Sequence, residues 1–263
     1  MPGGVSSSVS TNGKQRMNSQ ARVALVTGGA GGLGAATCRV LASKGFFVMV
    51  CDADGPRSDA CAAALLREGL RARAVQLDVT DQPAVTRVSD ALANEFGRID
   101  ALVNMAGVVR NALVTKISDQ DFELTLATHL QGTLNCMRAV APRMRSAGYG
   151  RIVNTSSVAV MGSVGGGSYG AAKAAIEALS RTAALEWATH GITVNCVAPG
   201  LISAGMFLTV PEEFQRSGIE RTPMKRVGTA EEVAECIAFF ASPQASFVTG
   251  QTLFVCGGLS IGF

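Results

Sequence analysis

Seven short runs constrain what this chain can fold into more than any other feature: "RVALVT" from Arg22, "FFVMVC" from Phe46, "RAVQL" from Arg73, "ALVNMAG" from Ala101, "RIVNTSS" from Arg151, "ITVNCVAP" from Ile192 and "QTLFVC" from Gln251. All but "RIVNTSS" are apolar through most of their length, and none is apolar only at alternate positions. A strand with one wet face alternates, whereas a strand covered on both faces does not. Ala-rich stretches of helical character separate the runs. The predicted architecture is therefore a single α/β domain, doubly wound, with a seven-stranded parallel sheet flanked by helices on both faces. Two helix starts carry their own signal, Thr229 with Glu232 and Ser118 with Asp121, where a hydroxyl caps backbone amides and an acid follows three residues later.

The chain has 263 residues, 48% of them hydrophobic and 16% charged, enough for a substantial core in one domain spanning about 21–263. Residues 1–20, rich in Ser, Gly and Asn, are expected to be a disordered tail and carry no apolar secretory segment. A net charge of +3 arises from 23 basic and 20 acidic residues scattered along the chain, which argues against a nucleic-acid partner. No uninterrupted apolar run reaches the roughly 18 residues of a membrane span, so no membrane partner is expected. The seven cysteines are odd in number and include no Cys-x-x-Cys pair, so neither a metal site nor a disulfide framework is expected, and a reducing cytoplasm fits best. One stretch breaks the strand–helix rhythm: residues 203–228 follow a strand's C-terminal end, where open sheets bind ligands, and are expected to form a substrate lid with apolar Met206, Phe207, Leu208 and Val210.

Directly after the first strand comes "TGGAGGLG", Thr27 to Gly34. Gly28, Gly32 and Gly34, with Leu33 between, are spaced to let backbone amides and a helix N-terminus approach a pyrophosphate, although a glycine cluster alone often marks only a tight turn. Asp52 ends the second strand. A carboxylate there accepts both ribose hydroxyls of NAD and repels the 2′-phosphate of NADP, so NAD is the expected cofactor, with Arg57 the nearest group able to serve a phosphate. Asp78 and Val79 after the third strand are placed to flank the adenine, or to begin a turn with no such role.

These residues resemble the short-chain dehydrogenase/reductase family over about residues 22–258. The likeness rests on "TGGAGGLG", "NMAG" at 104–107, "GRIVNTSS" at 150–157, "YGAAK" at 169–173, "VNCVAPG" at 194–200 and "TGQTLFVCGG" at 249–258, and "PMKRVGTAEEVAECIAFFAS" is similar to the 3-oxoacyl-[acyl-carrier-protein] reductase and 3-hydroxyacyl-CoA dehydrogenase branch. The resemblance implies a Rossmann fold and a homotetramer. It also implies hydride exchange at a secondary alcohol or ketone, with Tyr169 as acid/base, a serine on the carbonyl oxygen, and Lys173 one helical turn away to bind the ribose and lower the tyrosine pKa. Of Ser156 and Ser157, the family pattern picks Ser157. Asn104, Ala106 and Gly107 would line the cofactor cleft, and Pro199, Gly200 and Ile202 its nicotinamide side.

Three positions depart from the pattern. His129 in "ATHLQG" stands where the family has a catalytic asparagine; it is either a satisfied helical histidine, a residue whose backbone carbonyl alone matters, or a titrating relay giving activity a pH step near 6 to 7. Met105 and Ala204 remove polar side chains near the cofactor. The expected substrate is a 3-oxoacyl thioester or a small apolar or aromatic ketone. The alternatives are a sugar, polyol or steroid dehydrogenase and, in another class, a non-catalytic dinucleotide-binding scaffold.

Overall fold

The structure, a computed structural model, describes residues 21–209 and 211–261. The expected tail at 1–20 and the lid residue Val210 lie outside the described residues. All seven apolar runs form strands: β1 Val23–Thr27, β2 Phe47–Asp52, β3 Ala72–Gln76, β4 Ala101–Asn104, β5 Gly150–Thr155, β6 Ile192–Pro199 and β7 Thr252–Val255. They make one parallel sheet in the order β3-β2-β1-β4-β5-β6-β7. Every residue of β1, β4 and β6 is buried, as strands roofed on both faces must be.

Helices α1 (Gly32–Ser43) and α2 (Gly55–Arg67) follow β1 and β2, and α3 (Gln82–Phe96) follows β3. Helix α4 (Asp119–Leu126) runs through a π-turn at Ala127–Gln131 into α5 (Gly132–Ala147). Then come α6 (Gly167–Trp187), α7 (Glu212–Arg221) and α8 (Ala230–Phe240). Two cores result. One packs Leu41, Leu65 and Ile237 from α1, α2 and α8 against Val26 and Val50; the other packs Leu92, Met137 and Ala183 from α3, α5 and α6 against Leu25 and Leu102. Each fully buried Leu, Ile or Met contributes about 1.5–3 kcal/mol, so the two layers clamp the sheet independently of any one contact.

The strand order reverses at β1 and β4, whose ends are level, Thr27 opposite Asn104. That reversal opens a crevice at the C-terminal edge, the place where such sheets hold ligands. The run predicted as strand to Gly107 stops at Asn104 because Thr27 Oγ1 accepts the amides of Met105 (3.1 Å) and Ala106 (3.3 Å) and draws the chain off the ladder. Both predicted caps form, with a difference. Thr229 and Glu232 make the full reciprocal box, whereas Asp121, one methylene shorter, leaves the Ser118 amide alone and accepts the Ser118 hydroxyl at 2.9 Å. The predicted lid is a 3₁₀ turn, Gly205–Thr209, followed by α7, with its base closed by paired backbone bonds between Leu201, Ser203 and Gly228 at 2.9 Å. Among the described residues no helix is long and apolar enough to cross a membrane, and no group of His, Cys, Asp or Glu is arranged to hold a metal.

Candidate active site

The glycine turn opens directly off β1 into α1. Gly28 has φ +63°, and a Cβ there would meet the Ala106 backbone at 2.8 Å; a Cβ on Gly34 would run into the Gly28 carbonyl. Both are therefore glycine by necessity. Helix α1 starts at Gly32 with no side-chain cap on its N-terminal amides, and Gly32 is exposed, so the donors and dipole at that end open toward the crevice without a side-chain partner. An uncapped helix start behind glycines that cannot carry side chains fits the pyrophosphate of a dinucleotide. Leu33 is half-buried against the core layer of α1.

Asp52 bridges the turn and α2. Its carboxylate accepts the Ala30 amide at 3.2 Å and the Asp54 amide at 3.2 Å, which holds it at the rim of the turn. Arg57 donates to the Ala30 carbonyl at 3.0 Å. Beyond β3, Asp78 is exposed and accepts the amide and hydroxyl of Thr80 at 2.9 and 2.8 Å, so it organises a turn. The Val79 side chain is core, packed against Gly132, and its carbonyl accepts Asn135 Nδ2 at 2.9 Å.

Asn104 is placed differently from the cleft-lining role implied for it. It is buried, and its amide donates to Asn154 Oδ1 at 2.8 Å, while Asn154 donates to Ser180 at 2.8 Å. This polar chain ties β4, β5 and α6 inside the core. Ala106 and Gly107 follow it into the loop above the sheet. Across the crevice, Pro199 closes β6, Gly200 donates to the Val255 carbonyl at 2.9 Å, and Ile202 is buried, with its carbonyl accepting the Ala204 amide at 2.7 Å. Ala204 packs over Gly32, so the start of the lid touches the glycine turn.

Ser157, Tyr169 and Lys173 converge where β5 ends against α6. Tyr169 lies close enough to Ser157 for the serine to pull the phenol down, and the Ser157 hydroxyl accepts the Ala159 amide at 3.1 Å. Lys173 Nζ donates to the Thr155 carbonyl at 2.6 Å and lies 5.5 Å from the centre of the Tyr169 ring. Burial draws the Lys173 ammonium down to about 8. Within the chain alone, burial pushes the Tyr169 phenol up and Ser157 pulls against it, and the Lys173 ammonium, bonded to Thr155 and 5.5 Å from the ring centre, does not offset that rise.

His129 sits on the π-turn with 2% of its surface exposed, edge-on to Tyr169 at 5.2 Å between ring centres. Its Nε2 is 2.8 Å from the Val108 carbonyl and 3.1 Å from the Val108 amide, and its Nδ1 is buried without a partner among the described residues. Its ring fills the space a Cβ on Gly107 would need. The pH step near 6 to 7 allowed by the sequence is corrected: burial, then the Lys173 charge, lower the imidazole to about 4 against a partial offset from Val108, so the ring is neutral throughout the physiological range.

Sequence reasoning passed over Thr27, which anchors the 105–106 loop, and Glu177, which accepts the Ser156 hydroxyl at 2.6 Å. The Ser156–Ser157 doublet was the available signal, and the two hydroxyls part company, one toward Glu177 and one toward Tyr169.

Residues 28–260 match the family model described as enoyl-(acyl carrier protein) reductase. The chain is 41% identical to short-chain reductase protein NovJ of Streptomyces niveus over 91% of its length and 94% of that protein. It is 38% identical to (2S)-[(R)-hydroxy(phenyl)methyl]succinyl-CoA dehydrogenase subunit BbsD of Thauera aromatica, over 93% of this chain and 99% of that one. It is 37% identical to 3-oxoacyl-[acyl-carrier-protein] reductase FabG of Thermotoga maritima, over 93% and 100%.

Proposed function

The chain belongs to the short-chain dehydrogenase/reductase family of oxidoreductases, and on that footing we propose that it interconverts a secondary alcohol and a ketone with NAD(H), Tyr169 exchanging the proton at the substrate oxygen. The observation that carries this reading is the convergence of Ser157, Tyr169 and Lys173 beside an uncapped, glycine-walled helix start. When bound, the nicotinamide gives or takes the hydride.

The chain's own residues do the rest. Gly28, Gly32 and Gly34 let the α1 amides meet the pyrophosphate. Ser157 and Tyr169 hold the substrate oxygen between their hydroxyls, and Tyr169, kept protonated by burial, donates its proton as negative charge develops there. Lys173, fixed by Thr155, supplies positive charge at the ring face and donors to the ribose. His129 acts as a neutral wedge holding the 107–108 loop against Tyr169.

Asp52 supports NAD over NADP. Its carboxylate stands at the rim of the turn, and a 2′-phosphate brought there would meet its negative charge. The substrate we favour is a 3-oxoacyl thioester or a small apolar or aromatic ketone. Its support is the exposed apolar rim of the loops after β4, β5 and β6, formed by Leu113, Val114, Met161, Val164 and Leu208, together with relatives named for acyl-carrier-protein and succinyl-CoA substrates. We place the enzyme in the cytoplasm as a homotetramer. Exposed Phe122, Leu124 and Leu185 on α4 and α6, and Phe239, Phe247 and Leu253 beside the β7 edge, are suited to two separate subunit contacts. A panel of ketones and secondary alcohols, each assayed with NAD(H) and NADP(H), tests the reading: turnover of none of them, with dinucleotide still bound, would leave only a binding scaffold, and a monomeric mass in solution would remove the assembly.

A further inference from the structure

Three consecutive residues at the end of β5 each meet a different turn of α6. Lys173 donates to the Thr155 carbonyl at 2.6 Å, the Ser156 hydroxyl donates to Glu177 Oε1 at 2.6 Å, and Ser157 lies beside Tyr169. Residues 169, 173 and 177 are four apart, stacked on one helix face about 6 Å per step. The first and third grips belong to the reaction proposed above. The middle one has no place in it.

Ser156 has no exposed surface, and its amide is fixed to the Val197 carbonyl of β6 at 2.7 Å. The Glu177 side chain is 14% exposed, with Arg181 at 3.7 Å on its outer side, and the Cys196 thiol of β6 feels its charge. A hydroxyl donating to a carboxylate at this length is a charge-assisted bond, roughly twice as strong as a neutral one. It is also the grip that bound substrate does not touch. Around it, Ala171 and Ala174 are exposed and Ala172 is buried, and three residues further along α6 Ser180 accepts the Asn154 amide of β5 at 2.8 Å.

We propose that Glu177 is a positioning residue: by receiving the Ser156 hydroxyl it sets the axial register of α6 against the end of β5, and so fixes Tyr169 relative to Ser157 and Lys173 relative to Thr155. This rests on the reading of Tyr169 as the acid/base. A slip of about 1 Å at reacting groups costs as much as 100-fold in rate.

The test is a cycle of Ser156→Ala, Glu177→Ala and the double variant, with Glu177→Gln as the conservative control, on full-length enzyme whose folding is checked by circular dichroism. Each alanine variant is expected to lower kcat about tenfold or more while KM for the dinucleotide stays within about threefold, since the glycine turn is untouched. The double variant is expected to be no worse than the worse single, because both remove one bond. Glu177→Gln, whose amide oxygen accepts the same hydroxyl, is expected to recover most of kcat. Should Glu177→Ala fail to fold, Ser156→Ala against Glu177→Gln carries the same comparison. Parental kcat in Ser156→Ala, strictly multiplicative losses in the double variant, or a glutamine variant as poor as alanine would each overturn the proposal. Tyr169→Phe run alongside separates the two levels: if it keeps full activity the reading of the site falls, and if it is inactive while the cycle is flat, only the role of Glu177 falls.

Discussion

The two halves of the crevice are built from different materials. On the side of β1, β2 and β3 the working surface is backbone: Gly28 and Gly34 have no room for side chains, α1 presents bare amides, and the ionisable Asp52 and Arg57 both bond the backbone of Ala30 at the rim. On the side of β4, β5 and α6 the working surface is buried side chains whose protonation the fold has shifted, with Lys173 brought down to about 8, His129 down to about 4 and Tyr169 raised. Amides keep the same charge distribution however deeply they are buried, so the first half needs only shape. Ionisable groups change their chemistry with burial, so the second half depends on packing several layers away.

The largest expected effect breaks the second half alone. Tyr169→Phe should lower kcat by roughly 10²–10⁴-fold, the usual span for a lost general acid, while dinucleotide affinity measured by titration stays near the parental value. Comparable losses in both would mean that the halves are not separable. Next comes a stability effect of the opposite sign. The charged Lys173 is disfavoured in the folded state, so below pH 8 it costs stability in full, and the cost fades as pH rises from about 8 to 10.5, where the unfolded chain alone still holds the proton. That gap corresponds to about 3 kcal/mol, and losing the Thr155 hydrogen bond returns about 1 kcal/mol. Lys173→Met is therefore expected to be inactive yet about 2 kcal/mol more stable at pH 7 by denaturant melts, the difference shrinking toward pH 10.5. Measuring the variant against the parent removes the contribution of the buried cysteines other than Cys196, whose thiol the Lys173 charge pulls down. A destabilised methionine variant at pH 7 would contradict the burial cost.

The same division explains what could be read in the sequence. The seven strands were legible because burial on both faces leaves an unbroken apolar run, and the glycine turn because missing side chains are visible in any sequence. Tyr169 and Lys173 were legible as residues one turn apart, but their protonation was not, since it follows from burial and from which acceptor the ammonium finds. The π-turn that seats His129 was not legible, for there the ring packs under Gly107, a contact between segments about twenty residues apart. Glu177 was illegible for the same reason: its partner, Ser156, is 21 residues away, and nothing local marks the pair. Asn104 was misplaced because a polar residue at a strand end looks the same whether it faces a cleft or, as here, bonds Asn154 inside the core.

A smaller effect sharpens the first half. Removing the Asp52 charge with Asp52→Asn takes away repulsion toward a 2′-phosphate and leaves Arg57 on the Ala30 carbonyl close by. The ratio of kcat/KM for NAD to that for NADP is expected to fall about tenfold or more, roughly 1.4 kcal/mol, with kcat for the better cofactor little changed. A parental enzyme that already prefers NADP would show that Arg57 dominates the rim.

The smallest expected effect on rate falls on the residue that departs most from the family pattern. A histidine ordinarily titrates as a pH switch, and His129 stands beside Tyr169, the proposed acid/base, yet burial and the Lys173 charge lower it to about 4, and the Val108 hydrogen bond only partly opposes them. Through pH 5.5–8 it therefore carries no proton to lose, and a group that does not change state cannot bend a rate profile. His129→Asn is expected to keep the shape of the pH–kcat curve over that range, whatever it does to the plateau, because asparagine can still donate to the Val108 carbonyl but cannot fill the space under Gly107. If the parental curve has an inflection near pH 6 to 7 that the variant lacks, then water reaches the imidazole despite its burial. The second half of the crevice would then be wetter, and its shifted groups closer to their ordinary values, than its packing requires.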